Sequence, residues 1–355
     1  MLERLLPRLW QRRGLWAVLL LPLSAIFWLV SGVRRAAYVC GVCRSERLPV
    51  PLVVIGNIIV GGSGKTPLTL WLADALRRAG RHPGVISRGY AAAETGAAVR
   101  EVLDDSLAAE VGDEPLLLKR RSGLPVFVGR DRVATGRALL AAYPECDLIL
   151  SDDGLQHYRL LRDVEIALVD ARGMMNGWLL PSGPLREWPQ RLTRVHALVL
   201  NGEAAAIPEV IHPEKVPVFR MRLSGAEFTR LHHSAADLPC TAAQLGGLRL
   251  AAVCGIAVPE RFFAHLECLG LQFTRHAFAD HHAYTAADLA AIQAQTGADA
   301  LLMTEKDAVK CGDYSGCPVW VLPVTADVVP DTAGIGLVAL VEQCLVENSI
   351  GSSVA

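Results

Sequence analysis

The sequence predicts an α/β protein in which a largely parallel sheet, covered by helices, is followed by a second, smaller α/β domain and preceded by an apolar helix. Three observations carry this. Residues 51–60 (PLVVIGNIIV) form a continuous apolar run that opens into a glycine cluster and then a stretch with helical apolar spacing. Further strand-like runs at 84–86, 125–128, 147–150, 165–169 and 196–200 alternate with helical patterns, the signature of a parallel sheet. Residues 14–33 (GLWAVLLLPLSAIFWLVSGV) are almost wholly apolar.

With 355 residues the chain is long enough for two domains, and 52% hydrophobic against 20% charged residues argues for a large buried core. A net charge of −1 provides no global basic field for nucleic acid, so phosphate or membrane must be held by local clusters. The nine cysteines are scattered, with no cleavable secretory signal, and read as reduced thiols. Cys40 and Cys43 form a lone Cys-x-x-Cys without the second pair a zinc ribbon needs. No obligate protein partner is implied.

The apolar N-terminal run is just long enough to span a bilayer. Arginines flank it on both sides, at 4, 8, 12 and 13 and again at 34, 35, 44 and 47, which does not specify a crossing. Pro22 interrupts it. A helix lying in the interface, its arginines toward anionic headgroups, satisfies both flanks. The alternative is a buried core helix. Residues 1–40 are therefore read as a membrane-associated helix, on the cytoplasmic face.

Residues 67–80 form a helix with apolar spacing at Leu68, Leu72 and Leu76, closed by Gly80. Residues 216–223 (VPVFRMRL) alternate like a half-exposed strand bridging two domains, and a second α/β series follows at 248–254, 259–269, 300–303 and 319–324. Domains of 41–220 and 221–355 result, the second with its linker strands closing a cleft.

Between the first strand and its helix lies Gly61-Gly62-Ser63-Gly64-Lys65-Thr66. Glycines let backbone N–H groups curl around phosphate oxygens, and the helix N-terminus favours negative charge. Lys65 would reach the β- and γ-phosphates, and the Thr66 hydroxyl would ligate Mg²⁺. The usual pattern has glycine at the position of Ile59, so Ile59 and Val60 open a shortened G-x-G-K-T loop. The fold narrows to a P-loop NTPase-like α/β/α sandwich. Residues 147–157 (DLILSDDGLQH) end an apolar strand in Asp152-Asp153, where an α/β sheet places its ligands. Asp-Asp-Gly is also a common turn; beside the phosphate loop it reads as a magnesium element. The tetrad that favours guanine is absent, since Lys306 and Asp307 are adjacent in Thr304-Glu305-Lys306-Asp307, so the base is read as adenine.

Seven motifs then converge in order: GN-x-x-VGGSGKTP from Gly56, SRGY from Ser87, GDEP from Gly112, DDGLQH from Asp152, LLPSGPLRE from Leu179, FADHH from Phe278 and TEKDAVKC from Thr304. Together they resemble tetraacyldisaccharide 4′-kinase, the inner-membrane enzyme of lipid A synthesis. The resemblance implies transfer of the ATP γ-phosphate to the 4′-hydroxyl of a tetraacylated glucosamine disaccharide 1-phosphate, giving lipid IVA. It also implies two α/β/α domains joined by a two-stranded linker. Asp113 of GDEP takes the place of the family's catalytic carboxylate, with His281 as the partner that orients and tunes it. By residue type alone, Asp113 reads equally as a helix cap, and His281 as a loop histidine. Arg186 is expected to neutralise the transferring phosphate and Glu187 to complete a metal shell with Asp152 or Asp153, a surface ion pair being the alternative. Arg88 and Gly89 are expected to face the acceptor; Ala91 and Ala92 stand where the family continues with glycines. Glu305, Lys306 and Asp307 are cleft residues without a role. Two rival readings are a P-loop metallochaperone or regulatory NTPase, and a soluble small-molecule kinase.

Overall fold

The structure is a computed structural model that describes residues 9–89, 99–231, 238–312, 314–331 and 334–352. Tyr90, Ala91 and Ala92 lie outside them.

Helices α1 (Leu15–Leu19) and α2 (Leu21–Val39) precede the first sheet. In chain order come β1 (Leu52–Gly56), α3 (Lys65–Arg78), β2 (Pro83–Ser87), β3 (Val99–Glu101), α4 (Ala108–Val111), α5 (Asp113–Ser122), β4 (Val126–Gly129), α6 (Arg132–Ala142), β5 (Leu148–Asp152), β6 (Val164–Asp170), β7 (Ala197–Asn201) and β8 (Val218–Ser224). The second series is β9 (Glu227–Arg230), β10 (Cys240–Thr241), α7 (Ala242–Leu245), β11 (Leu250–Cys254), α8 (Pro259–Cys268), β12 (Phe273–Ala277), α9 (Ala286–Thr296), β13 (Ala300–Thr304), α10 (Glu305–Ala308) and β14 (Val319–Leu322). The chain then closes with β15 (Thr325–Val329) and α11 (Leu337–Ser352).

The first sheet has nine strands in the order β15-β8-β7-β6-β1-β5-β2-β4-β3, parallel except at its two edges. Successive β1 residues point to opposite faces. Val53 and Ile55 join Leu68, Leu72 and Leu76 of α3 in one core, whereas Leu52 and Val54 join Val133 and Leu139 of α6 in the other. Burial on both faces explains why the strands read as unbroken apolar runs. Each fully buried leucine of α3 contributes about 1.5–3 kcal/mol. β1 is central, and the chain leaves its C-terminal end to cover one face and return at β2, which puts the glycine loop where such sheets bind ligands.

The second sheet has six strands, β10-β9-β14-β13-β11-β12, again with alternate residues of β11 in separate cores. The sheets do not divide the chain at 220. Residues 221–224 complete β8, and β15 with α11 return to the nine-stranded sheet, where Leu337, Val341 and Leu345 pack into its core. β8 and β15, an antiparallel pair, are the two crossings between the sheets. Short β3 and exposed β12 carry too little apolar pattern to be seen in sequence.

The N-terminal run is two helices that meet at Leu20, with Pro22 in the first turn of α2. None of the described helices is long and apolar enough to cross a membrane. One face docks on the protein: Ser24 Oγ bonds Leu179 O at 2.9 Å and Ser182 Oγ at 2.8 Å, and Trp10 Nε1 bonds Pro181 O at 2.9 Å. The opposite face leaves Leu15, Trp16, Leu19, Ile26, Leu29 and Val30 exposed, so this is no core helix.

Candidate active site

The phosphate loop is shaped by what holds its carbonyls. Asn57, fully buried just after β1, donates Nδ2 to Gly61 O at 3.3 Å and to Ser63 Oγ at 2.9 Å. Arg172 Nη2 donates to Gly62 O at 3.1 Å, and Asn201 Nδ2, at the end of β7, to Ser63 O at 2.7 Å. A trans peptide points its N–H opposite to its C=O. With three successive carbonyls tied to the surrounding protein, the amides of Gly62, Ser63 and Gly64 face the hollow of the loop. Gly64 has φ 97°, and a Cβ there would lie 2.4 Å from Asn201 Nδ2. Only glycine fits.

Ile59 and Val60 do something else. Ile59 is buried and pairs antiparallel with Leu185, and the Val60 N–H donates to Pro184 O at 3.0 Å. These contacts anchor the LLPSGPLRE segment against the start of the loop, and the Val60 N–H is taken by that segment. The pairing partner lies far along the chain, beyond the reach of local pattern.

Lys65 and Thr66 open α3, both largely buried, and Lys65 Nζ lies 3.7 Å from Asp153 Oδ1. Asp152 ends β5 with its side chain fully buried. Thr69 Oγ1 donates to its Oδ1 at 3.4 Å, and its Oδ2 has no hydrogen-bond partner. Burial first, then the Glu114 carboxylate, pushes the Asp152 carboxyl up, against the pull of Lys65. Burial also works against Asp153, but Lys65 and Arg186 hold it below the usual carboxylate range. Arg186 Nη1 lies 3.0 Å from both Asp153 oxygens.

Glu187 is held by three neighbours. Gln156 Nε2 donates to its Oε1 at 2.9 Å, Tyr158 OH donates to its Oε2, and Arg191 Nε stands 3.7 Å away. Lys65 thus meets Asp153, with Thr66 and Asp152 beside them in the chain, and Glu187 joins the same polar web through Gln156, which Arg186 Nη1 reaches at 3.5 Å. Among the described residues, no group of three or more His, Cys, Asp or Glu side chains is arranged to hold a metal, Cys40 and Cys43 included. The orphaned Asp152 oxygen and the Thr66 hydroxyl remain a fitting oxygen set for a hydrated Mg²⁺.

The second sheet completes the site. Asp113 is the first residue of α5 and is 7% exposed; the helix cap is Gly112, with φ 94°. Asp113 Oδ1 accepts from the Glu114 N–H at 2.9 Å, while its Oδ2 lies 2.8 Å from His281 Nδ1, across 168 residues of sequence. Helix capping therefore does not account for Asp113. His281 sits in the loop after β12 at φ 60°, its N–H donating to Gly255 O at 3.3 Å. Burial raises the Asp113 pKa, but the His281 hydrogen bond and the Lys306 and Lys310 ammoniums bring it down to about 2. The same bond raises His281, against its partial burial.

The lysines come from the TEKDAVKC segment. Lys306 Nζ is 3.1 Å from Glu114 Oε1 and 4.0 Å from Asp113 Oδ2; Lys310 Nζ is 3.8 Å from Asp113 Oδ2 and 2.9 Å from Asp307 Oδ1. Asp307 Oδ2 also accepts the Gly255 N–H at 3.0 Å, so one buried carboxylate braces both Lys310 and the residue that carries the His281 contact. Asn57, Asn201, Glu114 and Lys310 escaped the sequence reading. The lysines' four-residue spacing and the polar Asn57 at the end of an apolar run were the available signals.

Beside Asp153 and Arg186 a cavity of about 950 Å³ runs to α2, lined by Arg34, Arg35, Arg88 and Arg132 as well as Phe27 and Trp28. Gly89 follows Arg88 in the chain, at φ 58°.

Over residues 16–340 the sequence matches the family described as tetraacyldisaccharide-1-P 4′-kinase. It is 50% identical over 345 residues to the tetraacyldisaccharide 4′-kinase of Herminiimonas arsenicoxydans, covering 92% of each chain. Against the enzyme of the same name from Azoarcus sp. (strain BH72) it is 48% identical over 322 residues, covering 91% of each. The crystal structure of "apo" form LpxK from Aquifex aeolicus in complex with ATP superimposes with a TM-score of 0.76 at 26% identity, covering 93% of this chain and 100% of that one. The match runs through every segment that builds the site, from the glycine loop to the lysines opposite Asp113, and the chain belongs to the tetraacyldisaccharide 4′-kinase family.

Proposed function

We propose that the protein transfers the γ-phosphate of ATP to the 4′-hydroxyl of a tetraacyldisaccharide 1-phosphate, giving lipid IVA at a membrane surface. The observation that carries it is the His281–Asp113 pair, 2.8 Å apart, joining the second sheet to the phosphate-loop side of the first. The loop amides and Lys65 would hold the phosphates. Mg²⁺, held by Thr66 and Asp152 through oxygen, would supply charge neutralisation on the phosphates. Arg186, held beside Asp153, would offset charge on the transferring group.

The sugar hydroxyl must lose its proton as the P–O bond forms. With a pKa near 2 and both oxygens engaged, Asp113 is a weak base by itself. The half-exposed imidazole is the better acceptor, so the proton goes to His281 Nε2 while Asp113 holds Nδ1 and stabilises the imidazolium. Sequence reasoning had assigned the proton to Asp113 and the orienting part to His281.

The arginine-lined cavity suits an anionic sugar, and the exposed face of α1 and α2 suits its acyl chains and the bilayer surface. We place the protein on the cytoplasmic face of the inner membrane, bound through this face. The alternative of a P-loop metallochaperone or regulatory NTPase is not favoured, since the family match and the named relatives are sugar-lipid kinases. Incubation with γ-labelled ATP and the acylated disaccharide 1-phosphate should move label to the 4′-oxygen; ATP hydrolysis without glycolipid product would refute the proposal.

A further inference from the structure

Asp170 closes β6 with a fully buried carboxylate that the chemistry above does not use. Arginines from both domains meet on it. Arg172 Nε lies 3.1 and 2.9 Å from its two oxygens, and the Arg172 N–H donates to Oδ1 at 3.0 Å. Arg261 Nη2, from α8 of the second sheet, lies 3.0 Å from Oδ2. The far side of the Arg172 guanidinium is on the phosphate loop, with Nη2 at 3.1 Å from Gly62 O and Nη1 at 3.5 Å from Val60 O.

These contacts form a continuous path: α8, Arg261, Asp170, Arg172, loop carbonyls. Its parts suit transmission of position. A planar guanidinium can fix a carboxylate with one edge and carbonyls with another, which a lysine cannot. A buried carboxylate must be paired, and Arg172 alone would do that. The second arginine comes from the other domain and is there only when that domain is docked. The orientation of the Gly62 carbonyl in turn fixes the Ser63 amide, one of those facing the loop's hollow.

We propose that Arg261 is a positioning residue that couples docking of the second domain to the nucleotide-ready shape of the phosphate loop, acting through Asp170 and Arg172. The inference rests on the loop being the ATP site. It makes nucleotide affinity depend on a side chain of the other domain that touches neither the loop nor any residue of the Asp113–His281 pair.

Steady-state kinetics on the full chain test it. Arg261 is partly exposed, so Arg261→Ala leaves the core intact. The expected result is a rise in KM for Mg·ATP of about tenfold, within the usual range of couplings between sites. The KM for the acceptor and the melting temperature should hold, with partial recovery in Arg261→Lys. Asp170→Asn should raise the same constant, and the double variant should show less than the sum of the two effects. Parental KM for ATP in Arg261→Ala overturns the proposal, as does an equal rise in both KM values with a lower melting temperature. Mg·ATP binding by the parent, measured first by calorimetry, separates the two levels: binding by the parent with no change in the variants sinks only the coupling, whereas no binding by the parent sinks the nucleotide site as well.

Discussion

Replacing Asp113 by alanine should separate chemistry from folding more cleanly than any other single change. The carboxylate is buried and holds His281 Nδ1 at 2.8 Å. Without it the imidazole loses both its anchor and the charge that stabilises its protonated form. Loss of a positioned acid–base partner costs about 10²–10⁴ in turnover, equivalent to about 3–5 kcal/mol on the barrier. The cations that face Asp113 are not stranded: Lys306 keeps Glu114 at 3.1 Å and Lys310 keeps Asp307 at 2.9 Å. Stability should therefore fall by only about 1.5–3 kcal/mol, the range for one hydrogen bond to a charged group. The assay is single-turnover transfer from γ-labelled ATP to detergent-dispersed acceptor, beside a thermal melt and Mg·ATP calorimetry. Parental turnover in a folded Asp113→Ala protein would refute the reasoning; lost ATP binding would show that Asp113 acts on the nucleotide instead.

Four more outcomes are expected. His281 is raised above its ordinary value of 6.5, and the neutral imidazole is the competent base, so kcat/KM should rise with pH through that raised value. Asp113→Asn should move this acidic limb to lower pH, and a limb that does not move would contradict the pairing. The same raised value means the pair stabilises domain docking most below pH 6.5 and loses that contribution as pH climbs through the folded pKa, which melting curves against pH will show. Gly64→Ala forces a Cβ to within 2.4 Å of Asn201 at φ 97°, and should abolish Mg·ATP binding with a stability loss of about 1–3 kcal/mol; calorimetry at parental affinity would argue against the loop geometry. Trp16→Glu with Leu19→Glu, on the exposed face of α1, should weaken binding to anionic vesicles at least about tenfold, given the apolar surface each side chain would bury, with a smaller loss of transfer to detergent-dispersed acceptor.

The parts of this site that sequence reveals are those whose partners are neighbours in the chain. Lys65 and Thr66 follow directly from strand, glycine turn and helix, because loop and helix N-terminus are built from contiguous residues. The Asp113–His281 contact spans 168 residues and depends on how two sheets dock, so only the ordered motifs pointed to it. The partners of Glu187 and of the Val60 N–H are hidden from sequence for the same physical reason. Tyr158 and Gln156 claim one, Pro184 the other, and no local pattern announces such partners. The N-terminal run shows the opposite failure. Its hydropathy is plain, but the break at Leu20 and the docking of Ser24 and Trp10, which leave it a surface helix pair, depend on a segment around 180. Asp170 was invisible as an ordinary strand-end aspartate, and only the convergence of Arg172 and Arg261 gives it meaning.

Rapid-quench transfer by the parent and by His281→Ala under saturating Mg·ATP and acylated disaccharide 1-phosphate is the sharpest test. The parent should yield labelled 4′-phosphate glycolipid, and the variant should bind nucleotide normally but transfer at least about a hundredfold more slowly. Equal transfer rates, or label released only as inorganic phosphate, would contradict the mechanism.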